Sequence, residues 1–213
     1  MSWEKFGKTA YFFNTFNESI DDKLVKKLNN IYFIEFVNFA DFYEKIIKNK
    51  RNHIFNRFDK PIDKLPGHIK SLVLSYYFNQ QVNNLPIKLN KLVFGKAFNQ
   101  PVNNLPPGLK ILIFGSQFNH PVENLPNKIK ILSFGICFSH SLDYLPCSIT
   151  HLEVSNTKLN FDNLPSTIKF IYVCDKKKKN YWNCDIEESE LVDNKFINVN
   201  PNTKICIKYS DKN

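Results

Sequence analysis

The chain has 213 residues, of which 43% are hydrophobic, and this is enough to bury a sizeable core. No stretch approaches the roughly 18 apolar residues of a membrane-spanning helix, and the N-terminus lacks the apolar segment of a secretory signal. The five cysteines form no CxxC pair, which favours free, partly buried thiols in a reducing compartment. We therefore expect a cytoplasmic, intracellular protein that is not attached to a membrane.

The formal net charge of +9 comes almost entirely from lysine, because Arg51 and Arg57 are the only arginines. Nucleic-acid interfaces favour arginine, whose planar guanidinium binds bases and phosphates in pairs of hydrogen bonds. The charge therefore disfavours nucleic acid as the main partner. A lysine-rich surface that binds nucleic acid stays open as an alternative.

Residues 1–57 are predicted to form an N-terminal cap. Ser19 and Asp22 resemble a capping box in front of apolar residues at helical spacing. Residues 31–36 are a dense apolar run typical of a strand, and residues 39–47 return to the helical period. The apolar residues of the first helical segment are Ile20, Leu24 and Leu28.

A 20-residue unit recurs six times through residues 58–173, the last copy being one residue short. Each unit has a phenylalanine, a Leu-Pro pair and two further apolar columns that end in a short strand. The first column is Phe58, Phe78, Phe98, Phe118 and Phe138. The Leu-Pro pairs begin at Leu65, Leu85, Leu105, Leu125, Leu145 and Leu164. The strand columns are Leu72, Leu92, Leu112, Leu132 and Leu152, followed by Leu74, Phe94, Phe114, Phe134 and Val154.

Other positions of the unit predict its local structure. Residues 109–114 end in the alternation of a strand, and the glycines at 95, 115 and 135 that follow such strands suit a turn with positive φ. Proline after leucine keeps the outer side of the unit extended. The asparagine beside the phenylalanine predicts a ladder of side-chain amides bonded to the next unit's backbone; its members are Asn79, Asn99 and Asn119.

The unit resembles the leucine-rich repeat and, more closely, the FNIP repeat. The signature Phe-Asn-x-Pro is intact at residues 98–101 and 118–121. It is weaker at 58–61 and 78–81 and mostly lost at 138–141. The resemblance covers residues 58–173.

This resemblance implies a curved solenoid, α/β to mainly β, with a parallel sheet on the concave face and an extended outer side, used for protein–protein contact. FNIP-repeat proteins often carry an F-box-like segment at the N-terminal end, which links them to ubiquitin ligases and to the recruitment of substrate proteins. Residues 1–57 lack a clear Leu-Pro-led F-box pattern.

The repeat continues less regularly at both ends. Residues 11–57 fit one or two divergent units, and residues 174–213 are predicted to be a C-terminal cap or tail in which 200–209 resemble a degraded repeat. The lysines at 176–179 are typical of a solvated loop. The residues that match the columns in the N-terminal unit are Phe16, Asn17, Ile20, Leu24, Leu28, Ile31 and Phe33.

Catalytic chemistry is not indicated. The sequence lacks a Gly-rich phosphate loop, GxSxG and HExxH. His120 and His140 share a column, but two histidines are too few for a metal site, and we interpret them as solvent-exposed variation. Cys174 and Cys184 have no further zinc ligands at ordered spacing. We predict a protein without catalytic residues, metal or cofactor.

The strand positions that do not feed the core are the candidate protein-binding site. They are predicted to point out of the concave sheet, with an apolar centre and a polar, aromatic C-terminal end. These residues are Val73, Lys91, Val93, Ile111, Ile113, Ile131, Ser133, His151, Glu153, Phe170 and Tyr172, together with Ser71.

The apolar centre of the sheet is also consistent with roles other than binding a partner. β-branched residues favour strands for their own sake, and a terminal segment that folds over the sheet would also cover them. A self-associating structural protein is a further alternative, and the sequence leaves the oligomeric state and the identity of the partner open.

Overall fold

The computed structural model describes residues 3–13, 16, 18–36, 56–155, 158–175 and 203–209, with the backbone alone for 174–175 and 204–209. These residues form one ten-stranded sheet in which the strands lie in chain order, β1 to β10. The first pair, β1 and β2, is antiparallel, and every later pair is parallel. A parallel sheet whose strands follow chain order is the topology of a solenoid.

The strands are short. They are β1 Trp3–Phe6, β2 Thr9–Phe12, β3 Phe33–Phe36, β4 Ser71–Val73, β5 Lys91–Val93, β6 Ile111–Ile113, β7 Ile131–Phe134, β8 His151–Val154, β9 Phe170–Asp175 and β10 Lys204–Tyr209. One helix, α1 Asp22–Lys27, lies between β2 and β3. The described part of the repeat region contains no helix, so its outer side consists of turns and extended segments, as the Leu-Pro pairs predicted.

Successive coils stack their columns directly on one another. The strand leucines Leu72, Leu92 and Leu112 lie in register and are fully buried. The phenylalanine rings also stack, with Phe98 and Phe118 nearly parallel and their centroids 6.1 Å apart. No single coil buries these side chains, and the neighbouring coil supplies the missing contacts.

The spacing of the stacked rings shows that the solenoid curves. Hydrogen-bonded strands lie about 4.8 Å apart. The rings of Phe94 and Phe114, just beyond the strand, are 5.5 Å apart. Those of Phe78 and Phe98, farther from the sheet, are 6.2 Å apart. Coils are thus more widely spaced on the outer side than at the sheet, which places the sheet on the concave side, as expected.

The glycine after the strand has a different role from the one predicted. Within the described residues, positive φ occurs at Gly7 and not at the three repeat glycines. Instead, a Cβ at Gly115 would lie 2.0 Å from the carbonyl oxygen of Gly95, and one at Gly135 would lie 2.2 Å from that of Gly115. The prediction of a positive-φ turn is wrong, and the close approach of two backbones requires glycine here.

The asparagine ladder is confirmed. The backbone N–H of Asn99 donates to Oδ1 of Asn79 at 2.8 Å, and that of Asn119 donates to Oδ1 of Asn99 at 2.9 Å. Asp59 begins the ladder by accepting from Asn79, and Ser139 ends it by donating to Asn119. Each side chain therefore joins two coils on the outer side.

The N-terminal unit differs from the prediction in two details. Asp21, and not Ser19, caps α1, since its side chain accepts from the backbone N–H of Leu24 at 2.8 Å. Ile34, and not Ile31, is in register with the buried Leu72. Phe33, which the sequence matched to a core column, pairs with Ser71 and faces away from the core. The predicted helix at residues 39–47 lies outside the described residues.

The first two strands form a hairpin that the sequence analysis did not predict. Phe6 pairs with Thr9 across a two-residue turn in which Gly7 has a φ of 59°. The ring of Trp3 stacks on that of Phe12, with centroids 5.6 Å apart. The hairpin thus covers the N-terminal end of the aromatic core with a large side chain.

The C-terminal end is formed by β10, which pairs in parallel with β9 and corresponds to the degraded repeat expected at residues 200–209. The lysines at 176–179 lie outside the described residues. The division into 1–57, 58–173 and 174–213 stays a prediction, although the sheet itself runs without interruption from β1 to β10.

Candidate protein-binding face

The side of the sheet that points away from the core, here called the open face, consists of two rows of side chains. Strand alternation puts them there, because the residue between the two rows is buried: Ala10 in β2 and a leucine or isoleucine in β3 to β9. The first row is Thr9, Phe33, Ser71, Lys91, Ile111, Ile131, His151 and Phe170. The second row is Tyr11, Glu35, Val73, Val93, Ile113, Ser133, Glu153 and Tyr172.

All the sequence-predicted positions lie in these two rows, but their exposure is uneven. Ile111, Ile113 and Ile131 are half-buried, so part of each aliphatic side chain contacts solvent. Val93 and Ser133 are only 5% and 6% exposed. The accessible aliphatic surface at the centre of the face is therefore carried by the three isoleucines together with the half-buried Val73.

The C-terminal end of the open face is an aromatic cluster. The rings of His151 and Phe170 stack with centroids 4.8 Å apart, and Tyr172 follows at 6.3 Å from Phe170. Nδ1 of His151 lies 2.9 Å from the hydroxyl of Thr150. Burial, and then the nearby ammonium of Lys169, lower the pKa of His151 below its ordinary value. Both effects favour the neutral form of this imidazole.

The N-terminal end of the open face carries aromatic residues that the sequence analysis missed. Phe6 is 52% exposed and its ring lies 6.1 Å from that of Tyr11, while Phe33 is 39% exposed. Burial, and then the carboxylate of Glu35, raise the pKa of Tyr11. Gly7 and Lys8 form a two-residue loop between alternating segments, which is a sequence signal for a hairpin. That signal would have predicted the strand that ends at Phe6.

The histidine column does not form a metal site. A ring N–H of His120 donates to the backbone carbonyl of Asn99 at 3.1 Å, and His140 donates likewise to Asn119. Both side chains are half-buried and join neighbouring coils, so the interpretation as solvent-exposed variation is wrong. Across the described residues, no three His, Cys, Asp or Glu side chains are grouped to hold a metal ion.

Two of the cysteines are described. Cys137 and Cys147 are free thiols and are exposed, which corrects the expectation that the thiols are partly buried. Cys174 and Cys184 lie outside the described side chains. Within the described parts of the chain, no helix has the length and hydrophobicity needed to cross a bilayer.

The fold defines a repeat protein of the leucine-rich-repeat-like solenoid class. Within that class, the FNIP repeat family matches residues 58–97 and 98–137, and this stretch of the chain therefore consists of FNIP repeats. No curated protein matches the chain significantly. Among solved structures, the chain is similar to CroV588, described as a novel circular LRR protein, with 24% identity and a TM-score of 0.47. That alignment covers 98% of this chain and 35% of CroV588, so the chain spans about a third of that structure's length.

Proposed function

We propose that this chain is a non-catalytic protein-binding module and that the open face is its binding surface. The observation that carries the proposal is the group formed by Ile111, Ile113 and Ile131, which are half-buried and keep part of their surface in contact with water, whereas the other repeated apolar columns are buried. Aliphatic surface left in contact with water is retained at a free-energy cost, and contiguous patches of it usually mark interfaces.

Two further features support the proposal. The aromatic cluster of His151, Phe170 and Tyr172 is continuous with the isoleucines, and aromatic residues dominate binding energy in protein interfaces. The face is also rigid, because its strands are hydrogen-bonded in a continuous ladder, so a ligand binds without a large cost of ordering it. Recruitment of a substrate protein to a larger assembly is one role such a surface serves.

An intracellular setting belongs to the same proposal. The exposed thiols of Cys137 and Cys147 suit a reducing compartment, where they stay free. Self-association through the open face is the competing function, since an apolar sheet face also fits a second copy of itself.

The experiment replaces Ile111→Asp and Ile113→Asp together in a tagged protein used to recover partners from its own host. A carboxylate on each isoleucine position removes the apolar contact and adds a charge that must be desolvated, so recovery should fall at least about tenfold. Light scattering of the purified protein distinguishes a bound partner from a second copy.

The matched control is Ile87→Asp with Ile136→Asp, which makes the same chemical change at two exposed isoleucines outside the open face. The control should recover partners as the wild type does, and both variants should keep the circular dichroism of the wild type. Equal recovery by the open-face variant and the wild type would overturn the proposal.

A further inference from the structure

The edge of the sheet at which the strands begin carries a column of exposed lysines, here called the lysine rim. Its members are Lys8, Lys70, Lys110, Lys130 and Lys169. Each directly precedes a strand. Backbone hydrogen bonds between neighbouring coils hold these positions side by side. The N–H of Lys130 donates to the carbonyl of Lys110 at 2.8 Å, and that of Lys169 donates to Thr150 at 2.9 Å.

Charge in the repeats is segregated between this edge and the outer side. The segments 67–71, 87–91, 107–111, 127–131, 147–151 and 166–170 contain seven lysines and no carboxylate. The six acidic residues of 58–173 lie elsewhere: Asp59, Asp63, Glu123, Asp143 and Asp162 on the outer-side segments and Glu153 on the open face. Positive potential is thus concentrated along one edge of the open face.

The rim lysines have no carboxylate to neutralise them within the described part of the chain. The ion pair found there joins Lys64 and Asp22 on the outer side. Lys110 and Lys130 precede neighbouring strands, whose backbones lie about 4.8 Å apart, so their side chains start side by side and their like charges repel. The same field acts on His151, whose pKa is lowered by burial and by Lys169. A ligand with negative charge would relieve this repulsion.

The open face by itself is narrow. Seven strand spacings of about 4.8 Å and three residues of about 3.3 Å give roughly 34 by 10 Å, or about 340 Å². A stable protein interface uses about 800 Å² on each partner. A ligand that buries this much surface would therefore extend beyond the open face onto an edge. At the rim, Lys110 and Lys130 directly precede Ile111 and Ile131.

We infer that the lysine rim and the open face together bind an acidic peptide segment of a partner protein, with aliphatic side chains on the isoleucines and carboxylates on the rim. This rests on the proposed function, since it names the class of partner that the open face takes. Two features disfavour nucleic acid as the ligand. The rim has no arginine, and the centre of the face is aliphatic, with its exposed aromatic rings confined to the ends, so it lacks a stacking platform for successive bases.

The test measures fluorescence anisotropy with three labelled probes. The first is a 16-residue peptide of Glu, Leu and Gly, the second is the same peptide with every Glu replaced by Lys, and the third is a single-stranded oligothymidylate. The acidic peptide should bind about ten times more tightly than the other two probes. Its affinity should fall as salt rises from about 0.05 to about 0.5 M, because exposed charges are screened.

The variants are Lys110→Glu with Lys130→Glu, and the milder Lys110→Gln with Lys130→Gln in case the first does not fold. Reversing both charges should lower the affinity for the acidic peptide by about tenfold, and neutralising them should lower it by about threefold. The control, Lys23→Glu with Lys96→Glu, makes the same change in net charge at two exposed lysines away from the rim and should stay within about twofold of the wild type.

Three results would each overturn the inference. They are tighter binding of oligothymidylate than of the acidic peptide, equal binding of the two peptides, and no binding of the acidic peptide. Its failure is distinguishable from failure of the proposed function. If the rim variants keep a partner that Ile111→Asp with Ile113→Asp loses, the open face binds protein and the rim does not take part. If neither change affects the partner, the proposed function itself is wrong.

Discussion

At the scale of single residues, the repeat is defined by how closely neighbouring coils approach. The glycines at 95, 115 and 135 leave no room for a side chain, because the preceding coil's carbonyl group occupies the Cβ position. The sequence predicted correctly that these glycines follow the strand. The explanation inferred from it, a turn with positive φ, is wrong. Positive φ is inferred from the residue type alone, whereas the clash arises from a residue 20 positions away.

The change Gly115→Ala should destabilise the protein by about 3 kcal/mol or more, because the new Cβ would lie 2.0 Å from the carbonyl oxygen of Gly95 and the coils would have to separate. Urea unfolding followed by circular dichroism measures the difference. The matched control is Gly108→Ala, where the nearest atom to the new Cβ is 3.7 Å away. That variant should stay within about 1 kcal/mol of the wild type, and equal effects at both sites would contradict the close-packing account.

At the scale of one coil, the outer side is held by side chains and not by a helix. The asparagine ladder was predictable from residue type, since a repeated asparagine beside a buried phenylalanine has the neighbouring backbone within reach. The histidine column was not, because His120 replaces a glutamine of the earlier coils and its bond to Asn99 forms only when the coils are stacked. Likewise, periodicity placed Ile31 in the column that Ile34 occupies, because the N-terminal unit does not keep the 20-residue spacing.

The asparagine ladder contributes measurably to the stability of the fold. Oδ1 of Asn79 accepts from the backbone N–H of Asn99 at 2.8 Å and from Nε2 of Gln100 at 3.3 Å. Asn79→Ala should therefore lower the free energy of unfolding by about 1–2 kcal/mol. Asn84→Ala, at an exposed position of the same coil, should change it by less than about 0.5 kcal/mol. Chemical denaturation of both variants compares them, and a loss at Asn84 as large as that at Asn79 would show that the ladder has no special role.

At the scale of the whole molecule, the protein is a curved stack of coils with a continuous sheet on its concave side. The repeat columns predicted the buried side and the two rows of the open face, because a 20-residue period fixes which residues superpose. The N-terminal hairpin lies outside the repeat, so Trp3 and Phe6 were not placed. The exposure of each residue in the two rows could not be predicted from the sequence either. Val93 and Ile113 share a column, but Val93 is buried and Ile113 is half-buried.

The frame of the repeat and the proposed binding surface use different residues. Repeat residues that build the frame, such as Phe98 and Leu112, are fully buried and cannot contact a partner. We therefore propose that recognition comes from positions that vary between coils, namely the isoleucines, the aromatic ends and the lysine rim.

The most direct measurement places the photo-crosslinking residue p-benzoylphenylalanine at position 113 on the open face and, in a second protein, at position 104 on the outer side. Residue 113 is half-buried among the open-face rows, and residue 104 is exposed. After irradiation in the host, the account predicts that position 113 crosslinks to another protein and position 104 does not. Crosslinking from position 104 alone, or from position 113 only to a second copy of this chain, would contradict it.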